Sequence, residues 1–187
     1  MLFLQIYLLS GLLLHKIVWE ILKRNAAEKP RESKSPRLKT IKTVKIALLL
    51  GICAQIFLPE ILPIAQNPVL LRIAGTIVFT IGLLTAIAAR IELGENWANI
   101  ETRQVLRRQQ IVAKGVYALV RHPIYTGDLL LLLGLQLALN SWLVLGVFLL
   151  APIVMRQAVK EEQMLAQHLP GYDLYCARTK RFIPFVI

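Results

Sequence analysis

Two short polar clusters bracket the most apolar part of the sequence. Arg121-His122-Pro123-Ile124-Tyr125-Thr126-Gly127 opens one apolar run, and Glu161-Glu162 closes the next. Carboxylates and an aromatic face suit a cationic ligand, and a guanidinium suits an anion. On a helix starting at Pro123, His122 shares a face with Tyr125 and Thr126, three and four residues on. Gly127 lets another group approach the backbone closely. Ionisable groups gathered beside a bilayer mark a functional site by default.

Each residue also has a plainer reading. Arg121 and Lys160 are suitable snorkelling anchors, and Tyr125 a suitable aromatic-belt residue. His122 reads as an ordinary helix-start residue before proline. Glu161-Glu162 reads as a solvated pair at a helix end, although carboxylates there oppose the helix dipole. All of these falling together favours a site.

The elements that must position these residues are membrane helices. Of 187 residues, 56% are hydrophobic and only 18% charged, which excludes an ordinary soluble domain. Residues 129–155 are apolar except for Gln136, Asn140 and Ser141. A span takes roughly 20 apolar residues. The sequence therefore predicts an all-α integral membrane protein with about five transmembrane helices, near 1–22, 44–62, 69–90, 123–139 and 142–159. A signal peptide is the rival for residues 1–14, but no basic segment precedes them and no small-residue cleavage site follows.

The net charge of +11 does not read as a nucleic-acid footprint. All of its basic residues except Lys16 and Arg72 fall in three clusters, over 23–45, 90–121 and 156–181. Five spans put all three on one side and the short connections 63–68 and 140–141 on the other. The positive-inside rule makes the basic side cytoplasmic, with the N-terminus outside and Ile187 in the cytoplasm. This gives two regions. Residues 1–90 hold three transmembrane helices and a basic cytoplasmic loop, 23–45. Residues 91–187 are expected to form a catalytic region with a helical hairpin, 123–159, and a cytoplasmic tail, so that any cofactor site is cytoplasmic and in this C-terminal half.

Cys53 lies within the second span and Cys176 in the tail, so neither a disulfide nor a metal site is expected. No P-loop or Rossmann glycine pattern occurs, so a cofactor must sit on helices and loops. With the hairpin turn at Asn140-Ser141, antiparallel pairing sets His122 level with Val159 and Lys160, and Tyr125 level with Arg156. Glu161 and Glu162 stand just above them.

With these markers in hand, the second half resembles the isoprenylcysteine carboxyl methyltransferase family and its phospholipid methyltransferase relatives. The likeness rests on Gly115-Val-Tyr117, Arg121 to Gly127, Glu161-Glu162, and Tyr172-Asp-Leu-Tyr175 through Pro184. It implies a membrane enzyme using S-adenosylmethionine without metal. It implies cofactor contacts from Gln109, Gln110, Ile111, Val112, Tyr117, His122, Pro123, Ile124, Tyr125, Glu161 and Glu162. It also implies a basic residue facing a substrate carboxylate, with Arg121 and Arg156 as the candidates. Arg156 stands five residues before Glu161, one off the family register.

The expected acceptor is lipid-like, foremost the carboxylate of a prenylated cysteine or a similar molecule. An ionised carboxylate needs no general base. An amine, as in a phospholipid N-methyltransferase, must first lose a proton, and Glu162, Asp128 or His122 would have to take it. Two other readings remain. An NADPH-dependent sterol-reductase-like oxidoreductase is suggested by Gly127-Asp128. A non-catalytic scaffold would pack through Gly75, Gly82 and Gly134.

Overall fold

A computed structural model describes residues 1–24, 36–58, 61–97 and 109–184, without the side chains of 36–38 and 45. Residues 25–35 of the basic loop 23–45, the residues Arg103, Arg107 and Arg108, and Ile187 lie outside the described residues. Among the described residues six α-helices carry the fold: α1 (Leu2–Arg24), α2 (Pro36–Phe57), α3 (Val69–Leu93), α4 (Pro123–Ala138), α5 (Val144–His168) and α6 (Tyr172–Arg178). Short 3-10 turns occupy Gly94–Asn96 and Gly115–Ala118.

The chain is an integral membrane protein. By length and composition, α1, α2 and α3 qualify as full spans. The other two predicted spans differ in kind. α4 has 16 residues, a rise of about 24 Å. α5 begins apolar, with Leu145, Phe148, Leu149 and Ile153 exposed on its surface, and then becomes charged.

The closest helix pairing is α3 on α4, in constant antiparallel register. Gly75 meets Ala138, Phe79 meets Gly134, Gly82 meets Leu131, and Ala86 meets Gly127. A Cβ on Gly127 would stand 2.6 Å from the Ala86 nitrogen, and one on Gly75, Gly82 or Gly134 would strike the facing backbone. Small residues spaced seven apart on both helices permit this approach, and dispersion rather than hydrophobic transfer holds such pairs in lipid. The sequence pairs α4 with α5 because they are consecutive. Glycine packing instead makes α3 the partner and joins the two predicted regions.

Around this pair lies a core of Leu8, Ile56, Phe79, Leu83, Leu131 and Leu135. Gln55 and Gln136, both buried, exchange reciprocal amide hydrogen bonds of 2.8 and 3.0 Å. Buried amides have few alternative partners in an apolar surround, so this pair sets the register of α2 against α4.

At the end away from the clusters, the two short connections are tied together. Asn140, at φ 56°, donates to the Ala65 carbonyl at 2.8 Å and accepts from the Ala65 amide at 3.0 Å. Ser141 Oγ donates to the Ile61 carbonyl, also at 2.8 Å. Asparagine tolerates the left-handed backbone that ends α4.

The pairing predicts a sharp contrast between two glycines. Gly82→Val forces the α3 and α4 backbones apart and should destabilise the folded protein by about 3 kcal/mol. Gly51→Val, with no neighbour within 4 Å of its added Cβ, should cost under about 1 kcal/mol. Thermal unfolding in detergent checks both.

Candidate active site

The Arg121-His122-Pro123 segment is held by the tail. The Arg121 amide donates to the Lys180 carbonyl at 2.8 Å, and the His122 amide to the Arg181 carbonyl at 3.1 Å. Lys180 returns a bond to the Leu119 carbonyl at 3.2 Å, making a two-stranded bridge around Val120. Pro123 then opens α4 in its first turn, where its missing N–H costs nothing.

α5 continues to His168, nine residues past the predicted end of its span. Glu161 and Glu162 therefore stand inside the helix, and the argument from an opposed helix dipole does not apply to them. Their levels also differ from the hairpin estimate. Tyr125 hydrogen-bonds Glu161 at 3.2 Å rather than lying beside Arg156. His122 meets Glu162 at 3.1 Å rather than lying level with Val159.

The paired glutamates have opposite surroundings. Glu162 accepts from Arg121 Nε at 2.8 Å and from Arg181 Nη2 at 2.7 Å. Burial alone would raise its pKa. Hydrogen bonds from His122, Arg181 and Arg121 outweigh burial and hold the carboxyl well below the usual range. An ionised carboxylate only accepts, so His122 carries its proton on Nε2. Arg121 also donates to the Cys176 carbonyl at 2.9 Å and to the Thr179 carbonyl. Glu161 faces a pocket instead. Burial raises its pKa, countered only in part by His122 and by the Tyr125 hydroxyl.

That pocket lies among the end of α3, residues 109–125, α5 and α6. Gln109, Gln110, Ile111, Val112, Tyr117, His122, Ile124, Tyr125 and Glu161 line it, as does Arg121. Pro123 is buried behind the wall, and Glu162 is turned into its ion cluster. Arg156 is exposed on α5 and does not line the pocket. Arg121 is at the wall, but its donors are given to Glu162 and two carbonyls.

Sequence reasoning missed Leu93, Asn96, Trp97, Leu165, Leu169, Tyr172 and Tyr175, which also line the pocket. Leu165 follows Glu161 by four residues, so a helix drawn to 168 would have shown it on the same face, whereas Leu169 lies just past the helix end. Asn96 is a folding contact as well: its side-chain oxygen accepts the Gln110 amide at 2.7 Å, tying the 109–112 segment to the end of α3. Gly115, at φ 54°, presses on the Glu92 carboxylate, which accepts the Val116 amide at 2.9 Å. Tyr175 donates to the Tyr117 carbonyl at 2.8 Å, and burial pushes its phenol up to about 12. Burial raises the Tyr117 and Tyr172 phenols too, so all three are neutral donors at physiological pH. The pocket thus offers one carboxylate, several amides and a set of aromatic faces.

An α-helical membrane protein with such a pocket at one end of its helices is the class that fold and site define. The chain belongs to the phospholipid methyltransferase family, whose pattern matches residues 70–170. Its fold is like that of a eukaryotic intramembrane Ras methyltransferase, an isoprenylcysteine carboxyl methyltransferase. The TM-score is 0.62 at 22% identity, over 98% of this chain and 68% of that one. A cobalt-zinc-cadmium resistance protein of Cupriavidus metallidurans is 38% identical over 80 residues, 42% of this chain and 37% of its own length. A delta(14)-sterol reductase of Mus musculus is 34% identical over 96 residues, 48% of this chain and 22% of the reductase. A nickel-cobalt-cadmium resistance protein of Alcaligenes xylosoxydans xylosoxydans is 28% identical over 107 residues, 56% of this chain and 49% of its own. The chain spans less than half the length of each of these three relatives.

The depressed Glu162 carboxyl fixes the sign of an acid effect. A carboxyl whose folded pKa lies below its unfolded value adds stability above the unfolded pKa. That stability is lost as pH falls through the folded one. Unfolding free energy should therefore decline from about pH 5 downwards, and Glu162→Gln should flatten that acid limb. Arg121→Ala removes a buried charge-assisted bond and should cost about 2–3 kcal/mol at neutral pH. Denaturation in detergent across pH checks both.

Proposed function

We propose that this chain is an S-adenosylmethionine-dependent methyltransferase acting on a lipid-like acceptor. The observation that carries the reading is Glu161. Its carboxylate lines the pocket at the bilayer edge, within reach of Tyr125 and close to His122. The donor set suits the cofactor. Glu161 would hold its ammonium or ribose hydroxyls, and the aromatic walls suit a sulfonium. Leu165, Leu169 and Trp97 offer an apolar bed for a flat ring. The bound cofactor would supply an activated methyl group. The protein's own part is to align the acceptor and exclude water.

The basic clusters support an N-terminus outside and a cytoplasmic C-terminus, with the pocket opening to the cytoplasm. An acceptor tail can then stay in the hydrocarbon while its head reaches the pocket. A carboxylate acceptor calls for a free cation. Among the described residues the pocket-lining cation is Arg121, which is already committed, and Arg156 faces away. This supports an amine head over the carboxylate expected from the sequence. The Gly127-Asp128 step suggestive of a reductase lies outside the pocket: Gly127 packs on Ala86, and Asp128 pairs with His15.

Calorimetry of the detergent-solubilised protein should show binding of S-adenosylmethionine or its demethylated product. Glu161→Gln should weaken that binding by about 1.5–3 kcal/mol, the loss of one charge-assisted hydrogen bond. Binding of NADPH with none of S-adenosylmethionine would replace this reading with the reductase one. Labelled-methyl transfer, offered phosphatidylethanolamine beside a prenylcysteine analogue, identifies the acceptor. Accessibility labelling of a cysteine placed at residue 187 in intact cells tests the orientation, and labelling from outside would overturn it.

A further inference from the structure

A second group of ionisable residues lies near the pocket, with Asp128 one helical turn from the pocket-lining Tyr125. His15 of α1 reaches Asp128 of α4 at 3.0 Å from Nε2 to Oδ1. The His15 ring stacks on Trp19, with centroids 4.5 Å apart. Both ionisable groups are accessible, their side chains 23% and 41% exposed. They connect to the pocket along two routes. Asp128 follows the pocket-lining Tyr125 by three residues on the same face of α4. Trp19 and the pocket-lining Trp97 both flank the buried Arg90 guanidinium, at 5.8 and 4.9 Å.

A polar His–Asp contact open to the hydrocarbon edge is costly to keep there. The pocket's own candidates for a base are engaged. His122 faces Glu162 through Nε2 and Glu161 through Nδ1, and Glu162 is held by two arginines. His15 differs. With Asp128 accepting from Nε2–H, its Nδ1 keeps a lone pair, and no hydrogen bond to Nδ1 occurs among the described residues. A carboxylate behind an imidazole fixes the tautomer and stabilises the imidazolium once it forms.

We propose that His15, oriented by Asp128, is the proton acceptor for a primary-amine lipid head group entering between α1 and α4. The head group arrives as an ammonium. Its N–H bond breaks, the electron pair stays on nitrogen, and the proton joins His15 Nδ1. The freed lone pair takes the methyl group of the sulfonium donor, whose sulfur keeps the former C–S pair. The product is a methylated ammonium, and the imidazolium later returns one proton to water. Asp128 balances the imidazolium charge. Among the described side chains, the other charged groups on α1, α2 and α3 are Lys16, paired with Glu20 at 2.8 Å, Lys23 and Arg24, the exposed Lys39 and Lys42, and Arg72, Arg90 and Glu92. This proposal rests on the amine-acceptor methyltransferase reading and adds the base.

The test uses the full chain in detergent with short-chain phosphatidylethanolamine. His15→Ala should lower methyl transfer at pH 7 by about 100-fold, the usual worth of a general base. Its rate should then climb with pH as free amine accumulates, and added imidazole should restore part of it. Asp128→Asn, nearly equal in size, should lower the rate while leaving thermal stability close to wild type. Cofactor affinity by calorimetry should stay within about twofold in both, because neither residue lines the pocket. A readout without turnover is the His15 ring resonance, assigned by its loss in His15→Ala. It should move toward the imidazolium position with phosphatidylethanolamine and stay in place with phosphatidylcholine. Unchanged rates in both variants, a resonance indifferent to the amine, or wild-type methylation of a carboxylate acceptor alone each overturn the base role. The last leaves the methyltransferase reading standing, whereas absence of S-adenosylmethionine binding removes that reading itself.

Discussion

The Glu162 carboxylate is the point on which the site depends. It stands inside α5, yet its partners come from the start of α4 and from the tail. A single charge thereby joins three segments far apart in sequence. Burying that charge is unfavourable by itself, and only the convergence of two guanidiniums and an imidazole offsets the desolvation. Once these donors are drawn to Glu162, the bridge between Val120 and Lys180 orients Arg121 and His122. Tyr125, one turn further, is then left facing Glu161.

The two adjacent glutamates do different work because successive helical residues point about 100° apart. Glu162 turns toward the arginines and serves the fold. Glu161 turns toward the pocket, where desolvation is only partly compensated. A doublet that looks redundant in sequence is thus one structural anion and one that lines the pocket. The same division applies to the arginines. Arg121 is close enough to line the wall, but its hydrogen-bonding capacity belongs to Glu162 and to carbonyls at the end of α6.

The membrane part answers to a different force. Between helices in lipid there is no hydrophobic gain from contact, so close packing and buried hydrogen bonds determine pairing. Glycines seven residues apart on α3 and α4 let backbones touch along the whole interface. The Gln55–Gln136 pair and the Asn140–Ala65 bonds then fix depth. This rigid pair carries the two ends of the pocket: α3 delivers Asn96 and Trp97, and α4 delivers His122 and Tyr125.

Apolar run lengths and the clustering of Lys and Arg were enough to read an all-α membrane protein, because a long continuous apolar segment in lipid can satisfy its own backbone polar groups only as a helix. Residue types and short spacings also marked His122 and Tyr125 as neighbours, since a helix of known pitch fixes what lies on one face, while the hairpin estimate set Glu161 only near them and not opposite Tyr125. Helix ends and helix partners were not legible in the same way. α5 runs to His168 because its last turns pack against the tail, which a hydropathy pattern does not register. α4 chooses α3 over its sequence neighbour α5 because complementary glycines meet, and that depends on two distant segments at once. The pairing of His15 with Asp128, the capture of Arg121 by Glu162, and the aromatic wall from Trp97, Tyr172 and Tyr175 are likewise tertiary outcomes. Each joins residues far apart in the chain, and only the closed fold brings their side chains within bonding distance.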